Sequence, residues 1–301
     1  RGLMTRPLLK EVLDYRTYVD IHIEKILQIK VSDELLNVLE LGINHEQQHQ
    51  ELLAYDIKYI FGHQPAFPVY PSIFKIKKEY QDPGLINIEG GLKEIGFSGD
   101  GFHFDNEKEK HKVYVDDFII ESDLVTNRSF LAFIEDNGYK NFNLWHAEGW
   151  DFVVKNGIEA PLYWMNKGEH WFRYDFDGWA QLNLDYPVMH ISYFEASAYA
   201  EWAGMRLPTE HEWEIASDHF KWGTLWEWTE SAYLPYPGFQ KAPGALGEYN
   251  GKFMVNQKVM RGASFATAQG HSRKTYRNFF HPEMRWMFGG IRLVKKNSSH
   301  A

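Results

Sequence analysis

The 301-residue chain contains no cysteine. Disulfides, iron–sulfur clusters, thiolate zinc sites and a cysteine nucleophile are therefore excluded from these residues. No stretch approaches the roughly 18 consecutive apolar residues of a membrane-spanning helix. Basic residues are outnumbered, 32 Lys and Arg against 41 Asp and Glu, giving a formal charge of -9. That balance argues against nucleic acid or an anionic membrane as the main partner. No internal repeat or low-complexity tract is visible. The chain opens at Arg1 rather than methionine, so a natural N-terminal portion is expected to be missing, and nothing present resembles a targeting segment. A soluble cytoplasmic protein is the expectation.

Aromatic residues are plentiful, at 16% with 11 tryptophans. Most read as bulky core filler, and a minority suits an aromatic pocket for a quaternary ammonium group. The most informative stretch is His45-Glu46-Gln47-Gln48-His49-Gln50-Glu51. It lies in a proline-free run, Asp33 to Phe61, with apolar residues at helical spacing. At about 100° per residue, His45 and His49 fall about 40° apart around the axis, close enough for two neutral imidazoles to grip one transition metal. Glu51 falls about 120° from His45 and about 160° from His49, and is poorly aimed at the same ion. Gln48, about 60° from His45, is placed to line a cleft beside a metal. Two readings stand at this point, a metal grip or a solvated helix face with two histidines.

Arg6-Pro7 opens a second helical stretch, Leu8 to Gln28. Two helices make a poor core alone, so residues 1–64 read as part of a helical bundle. Prolines 65, 68 and 71 mark 65–84 as a linker. Residues 85–301 alternate short strand-like pieces, such as 112–115 and 118–120, with helical spacing over 127–136 and 192–203. Ser192 is a plausible cap for the last. The whole is an α+β chain.

Several motifs carry a resemblance. Leu207-Pro208-Thr209-Glu210, Glu212-Trp213-Glu214, Trp226-Glu227-Trp228-Thr229, Arg261-Gly262-Ala263-Ser264 and Gly290-Ile291-Arg292-Leu293 resemble the formylglycine-generating enzyme (sulfatase-modifying factor) fold, a variant of the C-type lectin architecture. Formylglycine generation needs active-site cysteines, so that chemistry is excluded here. A DinB-like helical bundle carrying Asn44 to Leu52, fused to such a domain, is similar to the ergothioneine-biosynthesis sulfoxide synthases, or hercynine oxygenases. The stretches 1–7, 233–239, 247–253 and 275–280 match one branch of them.

The resemblance implies a mononuclear non-haem Fe(II) enzyme that uses O2 to join a cysteine-type thiol to C2 of hercynine, giving a sulfoxide. His45 and His49 match two of three iron ligands. The third belongs to an earlier bundle helix and is expected upstream of Arg1, with His22 read as packing or surface. Gln48 matches a contact to the substrate imidazole, and Asn278 and Phe279 match part of the betaine-binding wall. Arg1 matches one of a basic pair for the thiol's carboxylate. Tyr249 is the chosen proton source near bound oxygen, with Tyr233 and Tyr236 as competitors. Phe280 replaces an acidic residue that holds the amino group of γ-glutamylcysteine, which implies cysteine or a differently held thiol. Trp226, Trp228, Arg261 and Arg292 are read as structural. A DinB-like metal-dependent thiol transferase and a non-catalytic lectin-like binding protein are the alternatives.

Overall fold

Proline-free spacing and polar first turns give the two long helices their limits. Helix α1 spans Leu9–Leu27 and α2 spans Asp33–Gly62. The computed structural model describes residues 5–70, 76, 84–244, 247 and 250–296. The chain divides into two compact units, Arg1–Glu46 and Gln47–Ala301. In the first unit α1 has no buried residue, and His22 is exposed, its Nδ1 2.7 Å from the Tyr18 carbonyl.

The second unit begins inside α2 and continues through β1 (Leu85–Ile88), β2 (Gly91–Ile95), β3 (His111–Val115), β4 (Phe118–Glu121), α3 (Asn127–Glu135) and α4 (Ala147–Asn156). Then come β5 (Trp164–Lys167), β6 (His170–Asp175), β7 (Gly178–Gln181), α5 (Tyr193–Trp202), β8 (Met205–Arg206) and α6 (Glu210–Ala216). The chain closes with β9 (Trp226–Ala232), β10 (Lys258–Gly262), β11 (Asn278–Phe280), β12 (Gly289–Gly290) and β13 (Val294–Lys295). One four-stranded sheet has the order β1-β4-β13-β8, so the last strand sits between two early ones. The other has the order β11-β10-β9-β12, with β12 parallel to β9 and the remaining pairs antiparallel. Strands β2 and β3 form a hairpin, and β5 to β7 a meander.

The sequence motifs turn out to be the joints of this unit. Ser192 caps α5, accepting from the Glu195 amide at 3.1 Å while Glu195 accepts back from the Ser192 amide at 2.8 Å. Thr209 and Glu212 make the same reciprocal cap on α6. The buried carboxylate of Glu210 pairs with Arg277 at 2.7 and 2.9 Å, and Glu214 takes Arg261 at 2.5 Å. Glu227 joins Arg292, at 2.7 and 2.8 Å, to the indole of Trp213 at 2.6 Å. These guanidiniums are buried, and among the described residues every nitrogen of the three except Arg261 Nε finds a partner inside the unit. Gly290 is required by close approach, since a Cβ there would lie 2.8 Å from Leu225 and 3.0 Å from the Val188 carbonyl.

Residues 65–70, expected as a linker, are held against the meander. The Tyr70 amide donates to the Phe176 carbonyl at 2.8 Å, and the Tyr174 hydroxyl donates to the Pro68 carbonyl at 2.6 Å. Phe67 packs against Tyr174 and Trp179.

Candidate active site

The candidate site is built around the second half of α2. Its buried residues are Glu51, Ala54, Tyr55 and Lys58, a stripe spaced three and four apart. Two of these four are charged, so polar contacts do much of the docking. Glu51 Oε1 accepts from the Trp226 indole at 2.8 Å and the Ser264 hydroxyl at 2.5 Å, and Oε2 accepts from Thr267 at 2.7 Å. Burial raises the Glu51 pKa above the usual carboxylate value, against the pull of these three donors. Tyr55 presents its ring edgewise to Phe280, Trp286 and Phe288 at 6.0 to 6.5 Å.

One turn before Glu51, two of the motif's three glutamines reach the same unit. Gln48 Nε2 donates to the Tyr276 hydroxyl, and Gln47 Oε1 accepts from His271 Nδ1 at 2.9 Å. Tyr276 packs on Trp226 at 5.3 Å, so the partners of Gln48 and Glu51 touch. Burial pushes the His271 imidazole down to about 4, with the nearby Arg273 guanidinium acting in the same direction. At neutral pH His271 is therefore uncharged and donates through Nδ1.

His45 and His49 stand one turn apart on α2, His45 part-buried and His49 exposed. By helix geometry they lie about 120° and about 160° around the axis from Glu51, with Gln48 between the two sides. The docked stripe and the imidazole pair are thus different faces of one helix. Two neutral imidazoles in this arrangement suit a borderline divalent ion such as Fe(II). Among the described residues no group of three His, Asp or Glu side chains converges to hold one.

The other expected contacts fall on β11 or outside the described residues. Asn278 pairs in register with Met260, Phe279 with Val259 and Phe280 with Lys258. Asn278 Oδ1 accepts from the Phe279 amide at 2.9 Å. The Phe279 ring stacks on Tyr233 at 4.1 Å and 13°, with Phe253 tilted against it at 5.6 Å. Phe280 instead meets Tyr55 of α2 and Trp286, so successive side chains of β11 face different neighbours. Arg277 fixes the strand's start through Glu210 and lies 3.8 Å over the Tyr236 ring. The Tyr233 hydroxyl accepts from Asn106 at 2.8 Å, whereas that of Tyr236 donates to Glu210 at 3.0 Å. Arg1 and Tyr249 lie outside the described residues.

Sequence reasoning missed Tyr276, His271, Ser264 and Thr267 as partners of α2. The only available signal was the polarity of a helix stripe that needed burial.

Residues 71–222 and 219–297 match the Sulfatase-modifying factor enzyme 1-like domain. A hercynine oxygenase of Mycobacterium tuberculosis is 34% identical over 63% of this chain and 55% of its own length. Those of Mycolicibacterium thermoresistibile and Mycolicibacterium smegmatis are each 30% identical over 84% of this chain, and over 67% and 70% of their own lengths. The chain thus spans a little over half of the first relative and about two thirds of the others. The solved structure of PvdO from Pseudomonas aeruginosa overlays 73% of this chain and 100% of its own, with a TM-score of 0.46 and 16% identity. With its motifs, its α2 sequence and these relatives taken together, the chain belongs to the sulfatase-modifying factor family and, within it, to the hercynine oxygenases.

Proposed function

We propose that this protein is an Fe(II)- and O2-dependent sulfoxide synthase that joins a cysteine-type thiol to C2 of hercynine in ergothioneine biosynthesis. The observation that carries the reading is the two-faced α2, with Gln48 fixed by Tyr276 at the border of a face bearing His45 and His49. His45 and His49 would hold the ferrous ion, with a third ligand from residues beyond those described. When bound, the metal supplies open positions where thiol, imidazole and O2 meet.

The remaining roles belong to the chain. Gln48 offers an amide to the substrate imidazole, oriented by its bond to Tyr276. Asn278 receives the betaine carboxylate, directly or across a water, through the Nδ2 donors left when Oδ1 takes the Phe279 amide. The Phe279 ring meets the trimethylammonium group. Tyr249 delivers a proton near the reacting oxygen, and Arg1 holds the thiol's carboxylate. Phe280 sits in an aromatic cluster with Tyr55 and Trp286 and offers no acid to hold the glutamyl amino group of γ-glutamylcysteine, which favours cysteine.

The test supplies hercynine, cysteine and O2 to the iron-loaded full-length protein and follows products by mass spectrometry. A hercynine-derived cysteine sulfoxide is expected. Thiol transfer without O2, or hercynine binding with no turnover, would replace this reading with a thiol transferase or a binding protein.

A further inference from the structure

Lys58 has no exposed surface, yet it is an ammonium on the docked stripe of α2. Its Nζ donates to Asp175 Oδ1 at 3.0 Å and to His190 Nε2 at 2.9 Å. The rings of Tyr163, Phe176 and Phe288 surround it at 5.1 to 5.8 Å. Because Nε2 of His190 accepts from the ammonium, the ring proton must sit on Nδ1, which donates to the Trp286 carbonyl at 3.1 Å. His190 holds this position with a left-handed backbone, φ +64°, a conformation of appreciable cost for a residue with a Cβ. Stability is a weak explanation for the arrangement, since an apolar side chain in place of a buried ion pair is often neutral or better.

The chain of bonds leads to the substrate-side elements. Trp286 is gripped twice, at its carbonyl through His190 and Lys58, and at its indole by Asp56 Oδ1 at 3.1 Å. Its ring closes a triangle with Tyr55 and Phe280, each pair 6.2 to 6.5 Å apart. Phe280 ends β11, two residues beyond Asn278, and Tyr55 lies two turns along α2 from Gln48.

We infer that Lys58 is a positioning residue for hercynine, fixing through His190 and Trp286 the spacing between α2, which carries Gln48, and β11, which carries Asn278. The inference rests on the proposed substrate. Lys58 touches no reactant; it sets how far apart two substrate-binding side chains stand.

Calorimetry on the anaerobic iron-loaded full-length protein tests it. Lys58→Met is expected to keep full iron content and to bind hercynine at least five-fold more weakly, well below its melting temperature. Asp56→Ala, a change at an exposed side chain, releases the other grip on Trp286 and is expected to weaken binding two- to three-fold. Hercynine affinity within 1.5-fold of wild type in both variants would overturn the inference and leave the proposed function standing. If wild type itself binds no hercynine, the proposed function falls, and nuclear magnetic resonance of the unliganded protein decides the rest. Displaced Gln48 side-chain amide and Trp286 indole signals in Lys58→Met would then sustain the coupling. Shifts confined to Asp175 and His190 would sink it.

Discussion

Glu51 and Lys58 lie seven residues apart on one face of α2, both buried, one carboxyl group held by three donors and one amine held by two acceptors. Two helical turns bring them nearly into line, about 20° apart around the axis. The helix is therefore keyed to the domain at two buried hydrogen-bonded points rather than by an apolar seam alone. A rotation of α2 that moved Gln48 would break both. Apolar seams tolerate sliding because dispersion contacts are non-directional; buried hydrogen-bonded groups do not.

The cation should be visible in the pH dependence of stability. Burial lowers the Lys58 pKa from 10.5 to about 8, against the opposing attraction of Asp175. Between those values the unfolded chain binds the proton that the folded chain has lost, so Lys58 makes stability rise with pH; below about 8 its full cost is present. Asp175 has a second cationic partner, Arg173 at 2.9 Å, and its pKa, held low against burial by Lys58 and Arg173, lies far below this window. His190 is neutral throughout, held well below its ordinary value by burial and the adjacent ammonium. Urea unfolding of wild type and Lys58→Met at pH 7 and 10.5 should show wild type gaining about 3 kcal/mol on the variant. Parallel pH profiles would show that Lys58 does not titrate as its burial requires.

The paired imidazoles carry the metal assignment. His45→Ala and His49→Ala are each expected to abolish stoichiometric Fe(II) binding. The domain's ion pairs and strands lie on other residues, so circular dichroism should report an unchanged fold. Metal analysis alongside the spectra checks both points, and full iron content in the two variants would remove the site from α2.

On the proposed function, position 280 is expected to influence the choice of thiol. Phe280 meets Tyr55 and Trp286 edge-on and offers no charge to the amino group of γ-glutamylcysteine. In competition with both thiols present, the cysteine-derived sulfoxide should dominate. Phe280→Asp should shift the ratio toward the dipeptide product. Dipeptide preference in the wild type would show that the amino group is held elsewhere.

Local signals made much of this legible. The proline-free run from Asp33 marks α2, and Ser192 with Glu195 marks the start of α5. The angular argument aimed Glu51 away from the histidine pair, and its carboxylate indeed meets Trp226, Ser264 and Thr267. Those partners were not legible, because they return to α2 from 175 to 216 residues away. Lys58 is a similar case: nothing near it in sequence announces Asp175 or His190, and a lysine in an amphipathic helix ordinarily reads as solvated. Residues 65–70 read as a linker because proline and glycine mark the absence of regular structure, not the absence of packing.

Phe279 offers the sharpest separation of recognition from packing. One face of its ring is covered by Tyr233, 4.1 Å away and nearly parallel, and Phe253 leans on it at 31°. A trimethylammonium group must therefore use the remaining surface of the ring. If it does, Phe279→Ala should cost hercynine binding about 0.5 to 2 kcal/mol of cation–π attraction. Free histidine lacks the trimethylated ammonium, so it should bind the wild type more weakly and lose less from the substitution. Calorimetry of both ligands against both proteins, anaerobic and iron-loaded, gives the four affinities needed. A pure packing role makes a different forecast, because relaxation of β11 would displace Asn278 and penalise the two ligands alike. Equal losses would thus assign the ring to Tyr233 alone, and a selective loss for hercynine would assign it to the betaine.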